Sequence, residues 1–218
     1  SEHPIGTFPD TVAEAEAEMQ TTAGRVHTGK GTGLYHLHLG HDIHVLTGCG
    51  LGGTSLINAN VSLPPDPRVW EDRAWPAALL GDDLDEGFAR ATRMLRPQPY
   101  LCGDCCSGCN VGAKTTVAMT YIPDAVNHGA HVFTGLDVDH VRKAADGWTV
   151  MLAPTRTGPQ AFGETLRAVS AGIVVLSGGS LGSTAILLRS RERGLALSGR
   201  LGTRFTGNGD VLAFAFNN

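Results

Sequence analysis

A glycine-rich stretch, Gly48–Asn60, carries the residues of this sequence that are best suited to binding an anion. It reads Gly-Cys-Gly-Leu-Gly-Gly-Thr-Ser-Leu-Ile-Asn-Ala-Asn and follows an apolar run, Ile43–Thr47, that predicts a strand. Glycine lets the backbone approach a phosphate closely, so that several N–H groups can point at one anion. The stretch therefore predicts a phosphate-binding loop, with a structural glycine turn as the alternative.

The same stretch matches the G-x-G-x-x-G pattern of dinucleotide-binding loops, but the residues after it do not fit that pattern. In a Rossmann unit the loop opens a helix, and an acid ends the next strand about twenty residues on. Here Asn60–Pro67 follows, and its three prolines in four residues forbid a continuing helix and a buried strand. We therefore expect an anion-binding loop that does not start a Rossmann unit.

Four of the five cysteines form a second group with chemical potential, C-x2-C-C-x2-C. Zinc ribbons separate their cysteine pairs by about 15–20 residues, whereas an iron–sulfur cluster can take its ligands from one local loop. Gly108 and Asn110 depart from the run found in bacterial ferredoxins. We favour a structural loop of thiols or a disulfide and keep an iron–sulfur cluster as the alternative. Its ligands would be Cys102, Cys105, Cys106 and Cys109.

Four histidines also lie close together, at positions 36, 38, 41 and 44. His36 and His38 share one face of a predicted strand, Leu34–Leu39, as a pair of metal ligands would. Such alternation more often marks the solvated face of a half-exposed strand. We therefore expect a solvated face here.

Composition limits the classes of protein that this chain can be. With 218 residues, 42% of them hydrophobic, it can bury one good core. Its 29 glycines and 6% aromatic content favour a loop-rich α/β protein over a helical bundle. A net charge of −4 without a basic run argues against a nucleic-acid partner. With no apolar window of about 18 residues and no signal-peptide pattern, we expect no membrane span and a cytoplasmic location.

Apolar periodicity predicts the elements that position these residues. Asp82–Leu95 has apolar residues at helical spacing, and Asp10 is suited to capping a short helix over Thr11–Met19. The Gly/Thr-rich segment Thr21–Gly33 predicts a loop, and the apolar run Ile173–Leu176 predicts a central parallel strand. The other predicted elements are helices over 120–128 and 181–189, a strand over 130–134, and an antiparallel meander with strands at 138–142, 148–153 and 165–169.

Three stretches, in order, resemble motifs of the glucose–methanol–choline (GMC) oxidoreductases, nearest to the cholesterol-oxidase-like bacterial branch. They are Gly48–Val61, Cys109–Lys114, and Val174–Ser183 continuing to Asn208–Asp210, and together they span nearly the whole chain. The resemblance implies an α/β fold. It would be part of a three-layer FAD-binding domain of the FAD/NAD(P)-binding type, with parallel strands and an antiparallel β-meander crossover.

By this resemblance, residues 1–218 form a partial FAD-binding domain. The Cys-rich loop occupies residues 100–116, the β-meander residues 137–170, and a substrate domain begins near residue 211. GMC enzymes open with a G-x-G-x-x-G loop between two strands and end with a catalytic histidine that has an Asn or His partner. Since neither is found in this sequence, we expect the middle of a longer enzyme whose catalytic base lies outside it.

The resemblance also implies flavin contacts. The glycine-rich loop would lie along the FAD pyrophosphate and reach the isoalloxazine ring, and Asn60 stands where relatives often carry Gly. Val138 resembles a residue whose backbone meets the adenine, with a core valine as the alternative. Ser177 and Gly178 end the predicted strand, and Asn208–Asp210 resembles an Asn-Gly-Asp near the flavin, with a hairpin turn as the alternative. The implied contacts are Gly50, Leu51, Gly52, Gly53, Ser55, Asn58, Asn60, Val138, Ser177, Gly178, Asn208 and Asp210.

The family reaction moves a hydride from a substrate carbinol carbon to flavin while a histidine accepts the hydroxyl proton. We therefore expect FAD-dependent oxidation of a small-molecule alcohol to a carbonyl, with oxygen or another acceptor reoxidising the flavin. Some members attach FAD covalently to a histidine near the glycine loop. No histidine lies between His44 and His128, which predicts non-covalent FAD. Two other functions stay open: an iron–sulfur electron-transfer module at Cys102–Cys109, and a non-catalytic fragment that cannot hold FAD.

Overall fold

The computed structural model describes residues 3–96, 100, 102–154 and 167–207. The chain divides into two compact units, Ser1–Thr134 and Gly135–Asn218, and each has its own sheet. The fold is mixed α/β, with both parallel and antiparallel strand pairs. Among the described residues, no helix combines the length and the apolar character that a membrane crossing requires.

A four-stranded sheet in the order β2-β1-β3-β4 forms the centre of the first unit. Strand β1 pairs antiparallel with β2 and parallel with β3, and β3 pairs antiparallel with β4. The elements are α1 (Val12–Ala17), β1 (Met19–Ala23), β2 (Val26–Gly29), β3 (Tyr35–Leu39), β4 (His44–Gly48), α2 (Asp82–Leu95) and α3 (Tyr121–Asn127). Strands β3 and β4 and helices α2 and α3 confirm the sequence predictions to within about two residues.

The start of the chain differs from the prediction in two ways. Helix α1 is capped by Thr11 rather than Asp10, because the Thr11 hydroxyl and the Glu14 carboxylate form a reciprocal capping box. The predicted loop over 21–33 was wrong, since β1 and β2 form a hairpin there. Gly24 has a φ of +59°, a left-handed conformation that favours glycine, so it can make the two-residue turn that the hairpin needs.

A small apolar core fixes the glycine-rich loop to the sheet. Leu34 is fully buried beside β3, and Leu56 and Ile57, which follow the loop glycines, pack against it. A short 3-10 helix, Gly53–Leu56, follows the glycines, and the chain then runs without helix or strand to residue 66. The prediction that this loop does not open a Rossmann helix is therefore confirmed.

The second unit is a three-stranded antiparallel sheet with one helix. Its elements are β5 (Leu136–Ala144), β6 (Gly147–Pro154), β7 (Ala168–Ala171) and α4 (Gly179–Glu192), and the strand order is β5-β6-β7. The predicted meander and helix are confirmed, although the third strand lies at 168–171 and residues 155–166 are outside the described part. Helix α4 packs against β5.

Two predicted strands are wrong within the described residues. The segments 130–134 and 173–176 are irregular, and no described strand pairs with either of them. Ile173 and Val175 are 84% and 79% exposed, so their apolar character does not reflect burial here. Apolar, β-branched sequence favours a strand only where a partner strand and a covering layer exist. The parallel pairing in the described structure is between β1 and β3 instead.

Candidate functional site

The glycines that follow β4 have different structural reasons for lacking a side chain. Gly50, Gly52 and Gly53 have φ values of +151°, +103° and +57°. A Cβ on Gly52 would lie 3.2 Å from the backbone nitrogen of Ala118, so packing within the protein explains that glycine. A Cβ on Gly53 would meet nothing within 4 Å. The space beside the Gly53 Cα is therefore open, while its N–H donates to the carbonyl oxygen of Gly50 at 3.0 Å. Contact of this backbone with a cofactor stays a prediction.

The hydroxyl of Ser55 shapes the loop. It donates to the carbonyl oxygen of Gly52 at 2.6 Å and accepts from the backbone N–H of Val117 at 3.2 Å. Because its proton is used within the loop, this hydroxyl has one acceptor lone pair left for a further hydrogen bond. The structure thus gives Ser55 a role inside the loop, and its contact with a cofactor stays a prediction.

Asn58 and Asn60 lie just beyond the 3-10 helix. Asn60 has a φ of +55°, a left-handed conformation that glycine and asparagine adopt more readily than other residues. This explains in physical terms how asparagine can stand where the resemblance leads us to expect glycine. The side-chain oxygen of Asn58 accepts from the backbone N–H of Asn60 at 3.4 Å.

Lys114 connects the glycine-rich loop to the cysteine loop. Its side chain is buried, at 2% exposure. The ammonium donates to three main-chain carbonyls, those of Leu56 at 2.8 Å, Asn58 at 3.0 Å and Cys105 at 2.8 Å. Burial lowers the pKa of Lys114, although the neighbouring thiols oppose that shift. Nothing in a single sequence separates a buried lysine from the exposed majority, so this residue was absent from the predicted site.

The cysteine loop is held by hydrogen bonds rather than by disulfides. The thiols are free, and Cys109 is buried with its sulfur 3.3 Å from the backbone nitrogen of Lys114. Burial raises the pKa of Cys109, but hydrogen bonds from the amides of residues 111–114 outweigh that effect and lower it. The side-chain oxygen of Asn110 accepts from the backbone N–H of Phe8 at 2.9 Å, and its side-chain nitrogen donates to the carbonyl oxygen of Phe8 at 3.1 Å.

The cysteine loop is not arranged as a metal site. Among the described residues, which include all four of its cysteines, no group of three or more His, Cys, Asp or Glu side chains is placed to hold a metal ion. The sulfur of Cys109 faces its own following backbone, whereas Cys102 and Cys106 are exposed. The structure therefore gives no support to the iron–sulfur alternative at Cys102, Cys105, Cys106 and Cys109, and it agrees with the structural loop.

A largely apolar cavity lies beside the glycine-rich loop. Its volume is about 250 Å³, and both the glycine loop and the cysteine loop contribute to its wall. Its lining residues with polar groups include His3, Lys114 and Thr116. The cavity gives the loop an apolar wall next to its open backbone. Lining residues from the two loops are Leu51, Leu56, Cys109, Lys114 and Thr116, and Ala118 and Met119 line it from just after the cysteine loop.

In the second unit the structure describes three of the predicted contacts. Val138 lies on β5, at an irregularity in its pairing with β6. Ser177 and Gly178 precede α4, and the Gly178 N–H donates to the hydroxyl of Ser183 at 2.9 Å. They lead into a helix, as predicted, although no paired strand comes before them. Asn208 and Asp210, and the predicted substrate domain near 211, lie outside the described residues.

Of the four clustered histidines, His36 and His38 are half-buried and packed together, whereas His41 and His44 are exposed as expected. The rings of His36 and His38 are 3.8 Å apart, and the Thr22 hydroxyl lies within hydrogen-bond distance of both His36 (2.8 Å) and His27 (3.0 Å). Burial, together with His38 and His27, lowers the pKa of His36 to about 4. Neutral rings that share hydroxyl partners account for this arrangement without a metal.

Comparison with known proteins decides the family. The GMC oxidoreductase family profile matches residues 84–196, more than half of the 218-residue chain. The chain belongs to the GMC oxidoreductase family. Members of this GMC family are FAD-dependent oxidoreductases, in agreement with the resemblance seen in the sequence.

Two curated GMC relatives align with most of the chain. Cholesterol oxidase from Acinetobacter baumannii is 23% identical over 245 residues, which is 83% of this chain and 44% of that protein. Cholesterol oxidase from Mycobacterium tuberculosis is 25% identical over 248 residues, 84% of this chain and 42% of that protein. The chain thus spans less than half the length of the curated relatives that it matches.

Proposed function

We propose that this chain supplies part of the FAD site of an enzyme that oxidises an alcohol to a carbonyl compound. The observation that carries the proposal is the open, left-handed backbone at Gly53, in a loop of a GMC-family chain. Backbone of this kind can come close to a pyrophosphate, which a side chain at the same position would keep away. The substrate would be a small-molecule alcohol.

FAD, when bound, supplies the hydride acceptor. The residues of the chain bind and orient it. Gly50 and Gly53 allow close backbone approach, and Lys114 holds the carbonyls of Leu56 and Asn58 at the end of the loop, so that the loop keeps one conformation. The buried ammonium also adds positive charge near the loop, which favours an anionic group there. No histidine lies between His44 and His128, which supports non-covalent binding.

The catalytic base is not assigned to any residue of this chain. Two half-buried histidines, His36 and His38, each place Nε2 within hydrogen-bond distance of a hydroxyl in the sheet, that of Thr22 and that of Thr47 respectively. They have structural partners there, so we do not give either of them a proton-transfer role.

Purification of the chain with added FAD tests this proposal. We expect a yellow protein with two resolved flavin absorption bands after free FAD has been removed, and release of the flavin on denaturation. Anaerobic addition of simple alcohols then tests for bleaching of those bands. A folded but colourless protein would contradict the proposal and favour a fragment that does not hold FAD. Iron and acid-labile sulfide, measured on the same sample, test the cluster alternative.

A matched pair of variants locates the binding. Gly53 and Gly24 have nearly the same φ, +57° and +59°, and a Cβ on either would meet nothing within 4 Å. Asparagine tolerates this conformation, so Gly53→Asn and Gly24→Asn should both fold. We expect only Gly53→Asn to weaken FAD binding, by about tenfold or more, since its side chain would occupy the phosphate approach. Equal affinities for the two variants would remove the loop from the site.

A further inference from the structure

An aromatic pocket lies in the first unit, between helix α2 and the segment that precedes it. Trp70 belongs to a short 3-10 helix, Pro67–Glu71, and Trp75 follows in the turn after that helix. The ring centroids of Trp70 and Trp75 are 4.9 Å apart, and those of Trp70 and Phe88, on α2, are 6.2 Å apart. The three rings border a cavity of about 400 Å³, which is within the range of small-molecule sites.

The protein orients these rings without using up their faces. The indole N–H of Trp75 donates to the carbonyl oxygen of Val69 at 2.8 Å, which fixes that ring. The planes of Trp70 and Trp75 are tilted by 57°, and those of Trp70 and Phe88 by 65°, so neither pair stacks face to face. Trp75 and Phe88 remain 39% and 38% exposed. Aromatic surface is therefore left for another group to contact.

A glycine in the middle of α2 keeps the cavity open. Gly87 lines the cavity from the same helix face as Leu84, Phe88 and Ala91, at spacings of three and four residues. Glycine destabilises a helix interior relative to alanine. Its helical conformation does not require glycine, and a Cβ there would meet nothing within 4 Å. The missing side chain is therefore explained by the space that it leaves in the cavity.

The charge around the cavity is negative. Asp83 is the ionisable residue among those described as lining it. Within the described part of the chain Asp83 forms no ion pair, whereas Glu86, on the same helix, is paired with Arg90. The surrounding stretch, residues 66–91, contains seven acids and three arginines. Such a surface attracts cations, and an aromatic ring attracts a cation placed over its face.

We propose that this pocket binds a small organic cation that has an apolar body. The rings of Trp70, Trp75 and Phe88 would contact the cationic group, and Asp83 would balance its charge. The apolar body would take the space beside Gly87. A neutral molecule of the same shape gains the apolar contacts alone. The site lies within the first unit and needs no flavin, so it stands or fails separately from the proposed function.

A matched pair of probes tests this chemistry on the intact chain without flavin. Benzyltrimethylammonium and neopentylbenzene have the same shape, and the first carries a positive charge. Each of the three tryptophans gives one indole N–H signal in a nitrogen–proton correlation spectrum. Titration with the cation should shift the signals of Trp70 and Trp75 and leave that of Trp148, in the second unit, unchanged. We expect the cation to bind about tenfold or more tightly than the neutral probe. Equal affinities, or a cation that shifts neither signal, would overturn the proposal.

Gly87→Ala separates a ligand site from a structural role of the pocket. Alanine favours the helix, so the melting temperature should be equal to that of the unmodified chain or higher. The added methyl group would occupy the cavity, and we expect it to weaken binding of the cation about threefold or more. If Gly87→Ala binds benzyltrimethylammonium as well as the unmodified chain does, this cavity is not where the cation lies.

Asp83→Asn tests the charge. It should reduce the preference for the cation over the neutral probe by about tenfold and leave the affinity for the neutral probe unchanged. Asp85→Asn makes the same change at an exposed residue of α2 that does not line the cavity, and we expect a much smaller effect there. If both variants lose the same affinity, the acidic surface as a whole attracts the cation and the pocket does not recognise it.

Discussion

The ammonium of Lys114 donates a hydrogen bond to the carbonyl oxygen of Leu56, 58 residues earlier in the chain. Through this bond and those to Asn58 and Cys105, one buried cation holds the end of the glycine-rich loop against the cysteine loop. All three of these acceptors are main-chain carbonyls. The cation therefore depends on the conformation of both loops, and both loops depend on the cation.

Replacing Lys114 with methionine should destabilise the first unit strongly. Methionine fills a similar volume, but it leaves three carbonyls without the donor that they share in the folded protein. Unsatisfied buried acceptors are costly, and we expect a loss of about 2–4 kcal/mol in the free energy of unfolding. Urea unfolding followed by tryptophan fluorescence measures it.

The control for this change is Lys30→Met. Lys30 is half-exposed and forms an ion pair with Glu18. Water screens the half-exposed Lys30 end of the pair, although Glu18 is only 13% exposed, so we expect a loss of about 1 kcal/mol. If the two methionine variants lose equal stability, the carbonyl contacts of Lys114 are not what makes it important.

Gly108 should not tolerate alanine. It has a φ of +116°, and a Cβ there would collide with the ring of Phe8, which belongs to the apolar core. We expect Gly108→Ala to cost about 2–4 kcal/mol, because both the backbone and the ring would have to move. Gly103→Ala is the matched control, since Gly103 has a φ of +85° and open space around it. That variant should lose about 1 kcal/mol from backbone strain alone. Thermal unfolding of the two proteins gives the comparison.

The parts of the fold that the sequence predicted are those that local patterns determine. Helix α2 has the bounds that apolar periodicity predicts, Asp82–Leu95, and the prolines after Asn60 correctly exclude a Rossmann helix. The predicted strand at Ile173–Leu176 is wrong because its formation does not depend on local pattern alone. A buried strand is defined by the strands and layers around it, and none of the described strands pairs with it.

The candidate site shows the same division. The open backbone at Gly53 follows from a local glycine pattern, and the left-handed Asn60 is consistent with it. Lys114 could not be predicted, because what defines it is contact with carbonyls far away in the sequence. A charged side chain looks the same in the sequence whether it is solvated or holds a main-chain carbonyl.

Acid should weaken the packing of α4 against β5. The carboxylate of Asp139, on β5, lies 3.0 Å from the guanidinium of Arg193, at the end of α4. A hydrogen bond with His140 lowers the pKa of this carboxyl, and the charges of Arg193 and Arg189 lower it further. Burial raises the pKa, but by less than these contacts lower it. A carboxyl with a lowered folded-state pKa adds stability above its unfolded pKa of about 3.9, and that stability is lost as pH falls through the folded value. We expect Asp139→Asn to be less stable than the unmodified chain near pH 6, and the difference to shrink below about pH 4. A difference independent of pH would show that the charge is not responsible. Asp137→Asn, exposed on the same strand, is the control.

His36 should make the first unit sensitive to mild acid. Its folded-state pKa is about 4, lowered by burial and by His38 and His27. The unfolded chain, with a histidine pKa of about 6.5, binds a proton more readily between these two values. Stability should therefore fall as pH decreases from about 6.5 towards 4. His36→Gln keeps a polar partner for Thr22 and should flatten this slope in melting temperatures measured across that range. His41→Gln, at a side chain that is 96% exposed, should leave the slope unchanged. If the slope survives in His36→Gln, another group accounts for it.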